Sequence, residues 1–188
     1  MKITPSINLA SLSISDPNQY NNQSTDIEGK AVFKIGFEVE YVLPFNKNTW
    51  SIFSNPAYQK YQAEKTYVNN DGFGVIGAEI TNNVKVDYSS IEIPIGIRHY
   101  FFLNNTSKIF VNAAYVIDVA GKSHFDFYNN KKLDSSAGKN FALGMGYSYK
   151  NKYSAELRLN TARNILSDYI SWSADYTTFG IIFGYTIL

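Results

Sequence analysis

Every second residue of the segment 31–45 is apolar, and this pattern restricts the fold more than any other feature of the chain. The odd-numbered positions are all apolar, whereas the even-numbered positions include Lys34, Glu38 and Glu40. Successive side chains of a β-strand point to opposite faces, so a strand separates these two sets and a helix would mix them. The segment is therefore predicted to be a strand with one apolar face and one charged face.

The same period-two alternation recurs along the chain, and helical periodicity is nearly absent. Eight strand-like runs are predicted at residues 3–14, 31–45, 50–61, 88–102, 108–119, 141–149, 153–161 and 178–188. Alternation in the first run is less regular, which we interpret as a bulge near Ser11. The pattern does not decide which face of the third run is buried. An all-β chain with eight antiparallel strands is expected.

The connections between these runs alternate between long and short. Long connections are predicted at residues 15–30, 62–87, 121–140 and 162–177, and short ones at residues 46–49, 103–107 and 150–152. Outer-membrane barrels combine short periplasmic turns with longer extracellular loops. Because the number of strands is even, both termini are predicted to lie at the short-turn, periplasmic side.

Two barrels with opposite faces are compatible with the alternation. A water-soluble barrel would turn the charged face outward, whereas a membrane-spanning barrel would turn the apolar rows toward lipid. Glycines such as Gly36, Gly96 and Gly144 share the charged face. Small residues suit the narrow interior of an eight-stranded barrel and are poor choices for an exposed strand surface. The membrane-spanning barrel is therefore favoured.

Composition excludes several other classes of protein. No stretch approaches the roughly 18 to 20 apolar residues of a spanning helix, and a net charge of only +1 gives no basic patch for nucleic acid. The absence of cysteine excludes disulfides and thiolate metal sites. Residues 1–188 are expected to form a single domain. Residues 1–10 lack the apolar region of a signal peptide, so export would require a leader already removed or a longer precursor.

Seven segments, taken in order, carry a family resemblance: INLASLSIS, KIGFEVEYVLPF, NPAYQKYQAE, YSSIEIPIGIRHYFF, FALGMGYSY, AELRLN and FGIIFGYTIL. Together they resemble the outer-membrane β-barrel domain common in Bacteroidetes, known as the PorT-like or porin-family barrel, over essentially the whole chain. The resemblance implies an eight-stranded antiparallel up-and-down transmembrane β-barrel of OmpA/OmpX-like architecture in the bacterial outer membrane. It implies contact with outer-membrane lipid and the barrel-assembly machinery, but no particular activity.

Charged residues on the inward face of three runs are predicted to lie at similar heights. Counted from the predicted periplasmic end of each run, Glu40, Arg98, Glu156 and Arg158 share one level, with Glu38 slightly higher. Buried charges are tolerated only when they are paired and hydrogen-bonded. We expect these five residues to form a salt-bridge plug in the lumen, and a gated ion path is the alternative interpretation.

One stretch of the third long connection combines a hydroxyl, an imidazole and a carboxylate, at Ser123, His124 and Asp126. A base beside a hydroxyl activates it as a nucleophile, but an extended backbone places Ser123 on the opposite side from His124. A solvated loop is the preferred interpretation. No residues have metal-ligand spacing and no glycine-rich phosphate loop is present, so we predict no catalytic residue, metal or cofactor.

The long connections are rich in Tyr, Asn, Asp and Ser, and the fourth contains Tyr169, Trp172 and Tyr176. Tyr and Trp combined with Ser and Asn make adaptable contact surfaces, although solvated loops without a partner are equally compatible. We predict a non-enzymatic outer-membrane barrel with a structural or surface-binding role, toward an extracellular ligand or an envelope protein. A narrow gated channel is the second hypothesis, and a loop-based lipid-modifying enzyme is the third.

Overall fold

The computed structural model describes residues 1–15, 25–69, 80–121, 123–127 and 132–187. The strands within these residues are β1 (Lys2–Ser15), β2 (Thr25–Val42), β3 (Trp50–Ser54), β4 (Ala57–Asn69), β5 (Ile80–Phe102), β6 (Ser107–Ala120), β7 (His124–Phe127), β8 (Lys132–Asp134), β9 (Lys139–Tyr149), β10 (Tyr153–Asn164) and β11 (Ser173–Thr186). One helical turn, Asn46–Asn48, joins β2 to β3. No helix in the described ranges is long and apolar enough to cross a membrane.

Backbone hydrogen bonds close the strands into an antiparallel ring. β1 pairs with β2 on one side and with β11 on the other, and the ring continues through β10, β9, β6 and β5. β3 and β4 lie in line between β2 and β5, separated only by Asn55 and Pro56. Together they occupy one of the eight strand positions of the barrel, which we call staves. The predicted eight-stranded up-and-down barrel is confirmed, and β7 with β8 adds a hairpin beside β5.

Both chain ends lie beside the short turns, at what we call the short-turn end. The Ile187 amide donates to the Met1 carbonyl (3.0 Å), and the Thr186 amide donates to the Lys152 carbonyl (2.8 Å). Lys150 and Asn151 have φ values of 52° and 53°. Two consecutive left-handed residues make the tight hairpin turn that matches the twist of the flanking strands. The placement of the termini at the short-turn end therefore agrees with the alternating connection lengths.

In the half of the barrel nearest the short turns, the outside is apolar and the inside is polar. On β2, Phe33 and Ile35 are 62% and 53% exposed, whereas Lys34 and Glu38 are 4% and 3% exposed. The odd-numbered residues of β3 point inward, which places Phe53 inside the barrel and Ile52 outside. An apolar belt around a polar interior is the arrangement of a barrel in lipid and the reverse of a water-soluble one.

Farther from the short turns, the apolar residues point inward and the polar residues point outward, as β1 shows. On β1 the inward residues change from Thr4, Ser6 and Asn8 to Ala10, Leu12 and Ile14, all buried. Over the same rise, the outward residues change from Ile3, Ile7 and Leu9 to Ser11, Ser13 and Ser15. The barrel is therefore polar inside within its apolar belt, and apolar inside above that belt.

A bulge lies near Ser11 as predicted, but its extra residue belongs to the partner strand, because β1 alternates without interruption through that position. Ala10 pairs with Lys30 and Leu12 pairs with Ile27, so the additional residue lies on β2. Gly29 there has a φ of 67°, a conformation that glycine adopts at no steric cost and that is typical of bulges. The irregular apolar pattern of β1 comes instead from its passage from one environment to another.

Much of the predicted long connections is strand. β4 and β5 extend to residues 69 and 80, and β7 and β8 fall inside the third long connection. These extensions surround what we call the outer core, a buried apolar cluster whose members include Leu12, Ile14, Ile27, Tyr61, Val84, Val86, Phe125, Phe127, Leu133, Ile165, Leu166, Trp172 and Tyr176. Strand continues beyond the belt because this second core gives it apolar surface to bury.

Candidate functional site

The structure brings together all five lumen charges that the sequence singles out, and Lys2 joins them. Arg98 donates two hydrogen bonds to Glu38, at 2.9 and 2.8 Å, and lies 3.2 Å from Glu40 and 3.4 Å from Glu156. Arg158 pairs with Glu156 at 2.6 Å, and Lys2 lies 2.6 Å from Glu38 and 3.1 Å from Glu40. We call this set the Arg98 cluster, and it contains three cations and three carboxylates.

Aromatic rings hold Arg98 in place. Its guanidinium carbon lies 4.5 Å from the centroids of both Phe53 and Phe110, and Arg98 is only 1% exposed. The planar guanidinium can stack on rings while its edge donates to a carboxylate in a bidentate pair. The side chain therefore fills the cross-section of the lumen both by charge and by volume.

A second group of charges, which we call the Arg163 cluster, lies farther from the short turns. Glu92 accepts from Lys34 and Arg163, each at 2.7 Å. Arg163 also lies 3.5 Å from Asp118 and donates to the Tyr88 hydroxyl at 3.0 Å, while that hydroxyl donates to Asp118. Two cations and two carboxylates again meet, so this level of the interior is also close to electrically neutral.

Sequence reasoning did not assemble the Arg163 cluster, although alternation places Lys34, Glu92 and Asp118 on the inward face. Arg163 falls in the predicted fourth connection, and its parity differs from that of Arg158 and Asn160. The pairing of β10 with β11 shifts between Asn160 and Arg163. An added residue in a strand turns the following side chains to the other face, and this returns Arg163 to the lumen.

Little space remains between the two clusters. The gap there is a cavity of about 20 Å³, bordered by residues of both clusters and by Asn55 and Asn160, which is enough for about one water molecule. The Asn55 amide nitrogen donates to Thr4 at 2.8 Å, and its oxygen accepts from Arg158 at 3.0 Å. Side chains, rather than a continuous aqueous path, occupy the described interior at this height.

The outer core closes the barrel a second time. Tyr176 packs edge-on against Tyr61 and Tyr88, with ring centroids 5.4 and 5.3 Å apart, and Phe127 lies 4.6 Å from Trp172. The connection after β10 folds inward over this end. Ile165 is 0% exposed. Its backbone amide donates to the Ala174 carbonyl, and its carbonyl accepts from the Ser136 amide.

The aromatics of the fourth connection occupy positions different from those expected for a contact surface. Trp172 is 7% and Tyr176 1% exposed, both within the outer core. Tyr169 is partly buried against that core, and its hydroxyl accepts from the Asp134 amide at 3.0 Å. The expectation is corrected for Trp172 and Tyr176, because inward-facing positions above the belt must be apolar to cover the end of the lumen.

Ser123, His124 and Asp126 do not form a nucleophile and base. The Ser123 hydroxyl accepts from the Ser89 amide at 2.8 Å and donates to the Ser89 carbonyl at 3.0 Å. His124 lies 3.5 Å from Asp126 on the solvent-facing side of the strand. Within the described ranges, no three His, Cys, Asp or Glu side chains are grouped closely enough to hold a metal ion.

No family model matches the chain, and no curated protein is similar enough in sequence to be matched. Among solved structures, the chain is similar to Ail, the attachment invasion locus protein of Yersinia pestis, at 12% identity over 98% of both chains (TM-score 0.41). It is 10% identical to Neisserial surface protein A over 96% of this chain and 95% of that chain (TM-score 0.45). It is also 10% identical to the outer membrane enzyme PagL over 96% and 99% (TM-score 0.47). The resemblance to Bacteroidetes barrels stays a prediction.

Proposed function

We propose that this protein is a non-enzymatic, non-conducting outer-membrane barrel that anchors a folded polar platform outside the membrane. The observation that carries the proposal is the double closure of the interior, by neutral charge clusters within the belt and by the outer core above it. A channel needs a continuous polar path, whereas the outer core puts tightly packed apolar side chains across that path. The structural role is therefore favoured over the gated channel.

The outer membrane is the membrane in which such barrels are found, since closed β-barrels with polar interiors and apolar outer belts are typical of it. In the proposed orientation within the outer membrane, the short-turn end faces the periplasm and the outer core faces the exterior of the cell. Outer-membrane lipid then surrounds the belt, and the barrel-assembly machinery inserts the chain. Both partners follow from the location rather than from a dedicated binding site.

The platform is the part of β4, β5, β7 and β8 that rises above the belt. Its outward face is polar, and ion pairs cross it between Lys85 and Glu64 (3.7 Å) and between Lys60 and Asp87 (3.9 Å). A hydrogen bond from Asn83, together with the charge of Lys85, lowers the pKa of Glu64 below its ordinary value. The ionised, hydrated surface of the platform suits contacts with a polar extracellular ligand or an envelope protein.

The proposal is tested by recording current across planar bilayers that contain the refolded protein. We expect no steady current, because both closures are present in the native barrel. A large, steady conductance in the native protein would contradict the proposal and favour the channel. Mass spectrometry of membrane lipids from cells with and without the protein tests the enzyme hypothesis, and we expect identical lipid profiles.

A further inference from the structure

A groove lies on the outside of the barrel, within the apolar belt. It lies near the short-turn end, has a volume of about 520 Å³, and is lined mainly by apolar atoms of β9, β10 and β11. We call it the tyrosine groove. Four of its lining residues are tyrosines that are 41 to 52% exposed, namely Tyr147, Tyr149, Tyr153 and Tyr185.

The floor of the groove comes from one small side chain on a face of large ones. Ala155 points outward on β10, and its register partners are Tyr147 on β9 and Phe183 on β11. Both partners are large and exposed, so they stand above Ala155 as walls. A depression of this kind accepts a narrow apolar chain running along the strands.

Positive charge is concentrated at one end of the groove. The Lys150 ammonium lies 5.2 Å from the centroid of the Tyr149 ring, and the Lys152 ammonium lies 5.4 Å from that of Tyr185. The lysines that form ion pairs within the described residues are Lys2, Lys34, Lys60, Lys85 and Lys132, and neither Lys150 nor Lys152 is among them. None of the three short turns contains Asp or Glu, so no neighbouring turn supplies a carboxylate.

We propose that the tyrosine groove binds one phospholipid with an anionic headgroup, its acyl chain over Ala155 and its phosphate at Lys150 and Lys152. This inference rests on the proposed function, because the groove faces lipid only if the barrel spans a membrane. Tyrosine rings suit the boundary between hydrocarbon and headgroups, and each lysine near an anionic membrane surface adds attraction. A second copy of the same face is disfavoured, because a two-fold contact would bring the lysine pairs of both copies together.

The test is native mass spectrometry of the protein released from vesicles that contain equal amounts of phosphatidylglycerol and phosphatidylethanolamine with identical acyl chains. We expect the native protein to retain one phosphatidylglycerol in preference to phosphatidylethanolamine. Lys150→Gln or Lys152→Gln should each weaken this retention roughly fivefold, and the double variant about thirtyfold, from about 1 kcal/mol per lysine. Lys47→Gln, in another short turn, is the matched control and should leave retention unchanged.

The floor is tested separately by Ala155→Leu, which fills the depression without changing charge. This variant should lose the bound phosphatidylglycerol, whereas Ala113→Leu should not, since Ala113 is an outward-facing alanine of the belt on β6. Equal retention of both lipids, or equal effects of a groove variant and its control, overturns the inference while leaving the barrel proposal intact. Failure of the native protein to insert into vesicles overturns both.

Discussion

At the scale of single residues, Arg98 makes the largest number of described charge contacts in the lumen. It pairs with Glu38, Glu40 and Glu156 while stacked between two aromatic rings. Breaking a buried pair by removing one partner leaves the other charge without compensation and costs roughly 3–5 kcal/mol. We therefore expect Arg98→Ala to lower the free energy of unfolding by that amount, measured by urea unfolding in lipid vesicles with tryptophan fluorescence.

The double variant Arg98→Ala, Glu38→Ala separates ion pairing from packing. Residues within one network are not additive, so removing Glu38 together with its partner should recover part of the stability lost by Arg98→Ala alone. Strictly additive losses would show that the two side chains stabilise the barrel independently. The stacking on Phe53 and Phe110 would then account for most of the effect of Arg98.

Glu92 gives the corresponding prediction for the Arg163 cluster. It is 5% exposed and is the carboxylate shared by Lys34 and Arg163, so Glu92→Gln leaves two buried cations facing each other. We expect a loss of roughly 3–5 kcal/mol in the same unfolding experiment. Glu64→Gln is the matched control on the exposed platform and should leave the unfolding midpoint unchanged, because solvent screens its ion pair. Similar effects of the two variants would contradict a buried role for Glu92.

At the scale of elements, alternation along the sequence was sufficient to predict the staves but not the environment that each strand crosses. Period-two alternation reports that side chains point to opposite faces, and all eight predicted runs correspond to staves of the barrel. It does not report whether the outward face meets lipid or water. Where β1 leaves the belt, the apolar residues change from the outward to the inward face, and in the sequence this change has the same appearance as a bulge.

Because alternation does not report whether a strand faces lipid or water, the sequence analysis did not predict some parts of the interior. Trp172 and Tyr176 lie in a stretch whose polar neighbours indicate a loop. Tyr176 instead belongs to β11 above the belt, where the inward face is apolar, and Trp172 directly precedes that strand. Arg163 follows a register shift that only the pairing with β11 reveals. By contrast, Glu38, Arg98 and Glu156 lie in uninterrupted stretches of strand near the short turns, where counting from the turns gives their heights correctly.

The inversion along β1 predicts a sharp change in accessibility between neighbouring outward positions. The chain contains no cysteine, so Leu9→Cys, Ser11→Cys and Leu12→Cys each introduce one thiol. In vesicles, a membrane-impermeant maleimide should label Ser11→Cys rapidly, because that residue points into water. Leu9→Cys should be protected by lipid, and Leu12→Cys by the outer core. Equal labelling of Leu9→Cys and Ser11→Cys would show that the belt ends elsewhere.

At the scale of the whole molecule, two different solvents require two different interiors. Within the belt, polar side chains can only turn inward, so the lumen is filled by neutralised charges. Above the belt, water surrounds the strands, so apolar side chains turn inward and form an ordinary hydrophobic core. The barrel is therefore closed by two structures of unrelated chemistry, stacked along one axis, and either is expected to stop ions by itself.

Two independent closures of the lumen predict a pattern of ion conductance that a single plug does not. Arg98→Ala combined with Glu92→Ala weakens both charge clusters, and Trp172→Ala weakens only the outer core, so neither set of changes alone should produce current in planar bilayers. The combined variant should conduct, because a polar path then passes both levels. Trp50 is the remaining tryptophan once Trp172 is replaced, and its fluorescence verifies insertion. Current through Arg98→Ala, Glu92→Ala without the Trp172 change would show that the outer core does not seal the barrel. An inserted but silent combined variant would contradict the assignment of these side chains to the two closures.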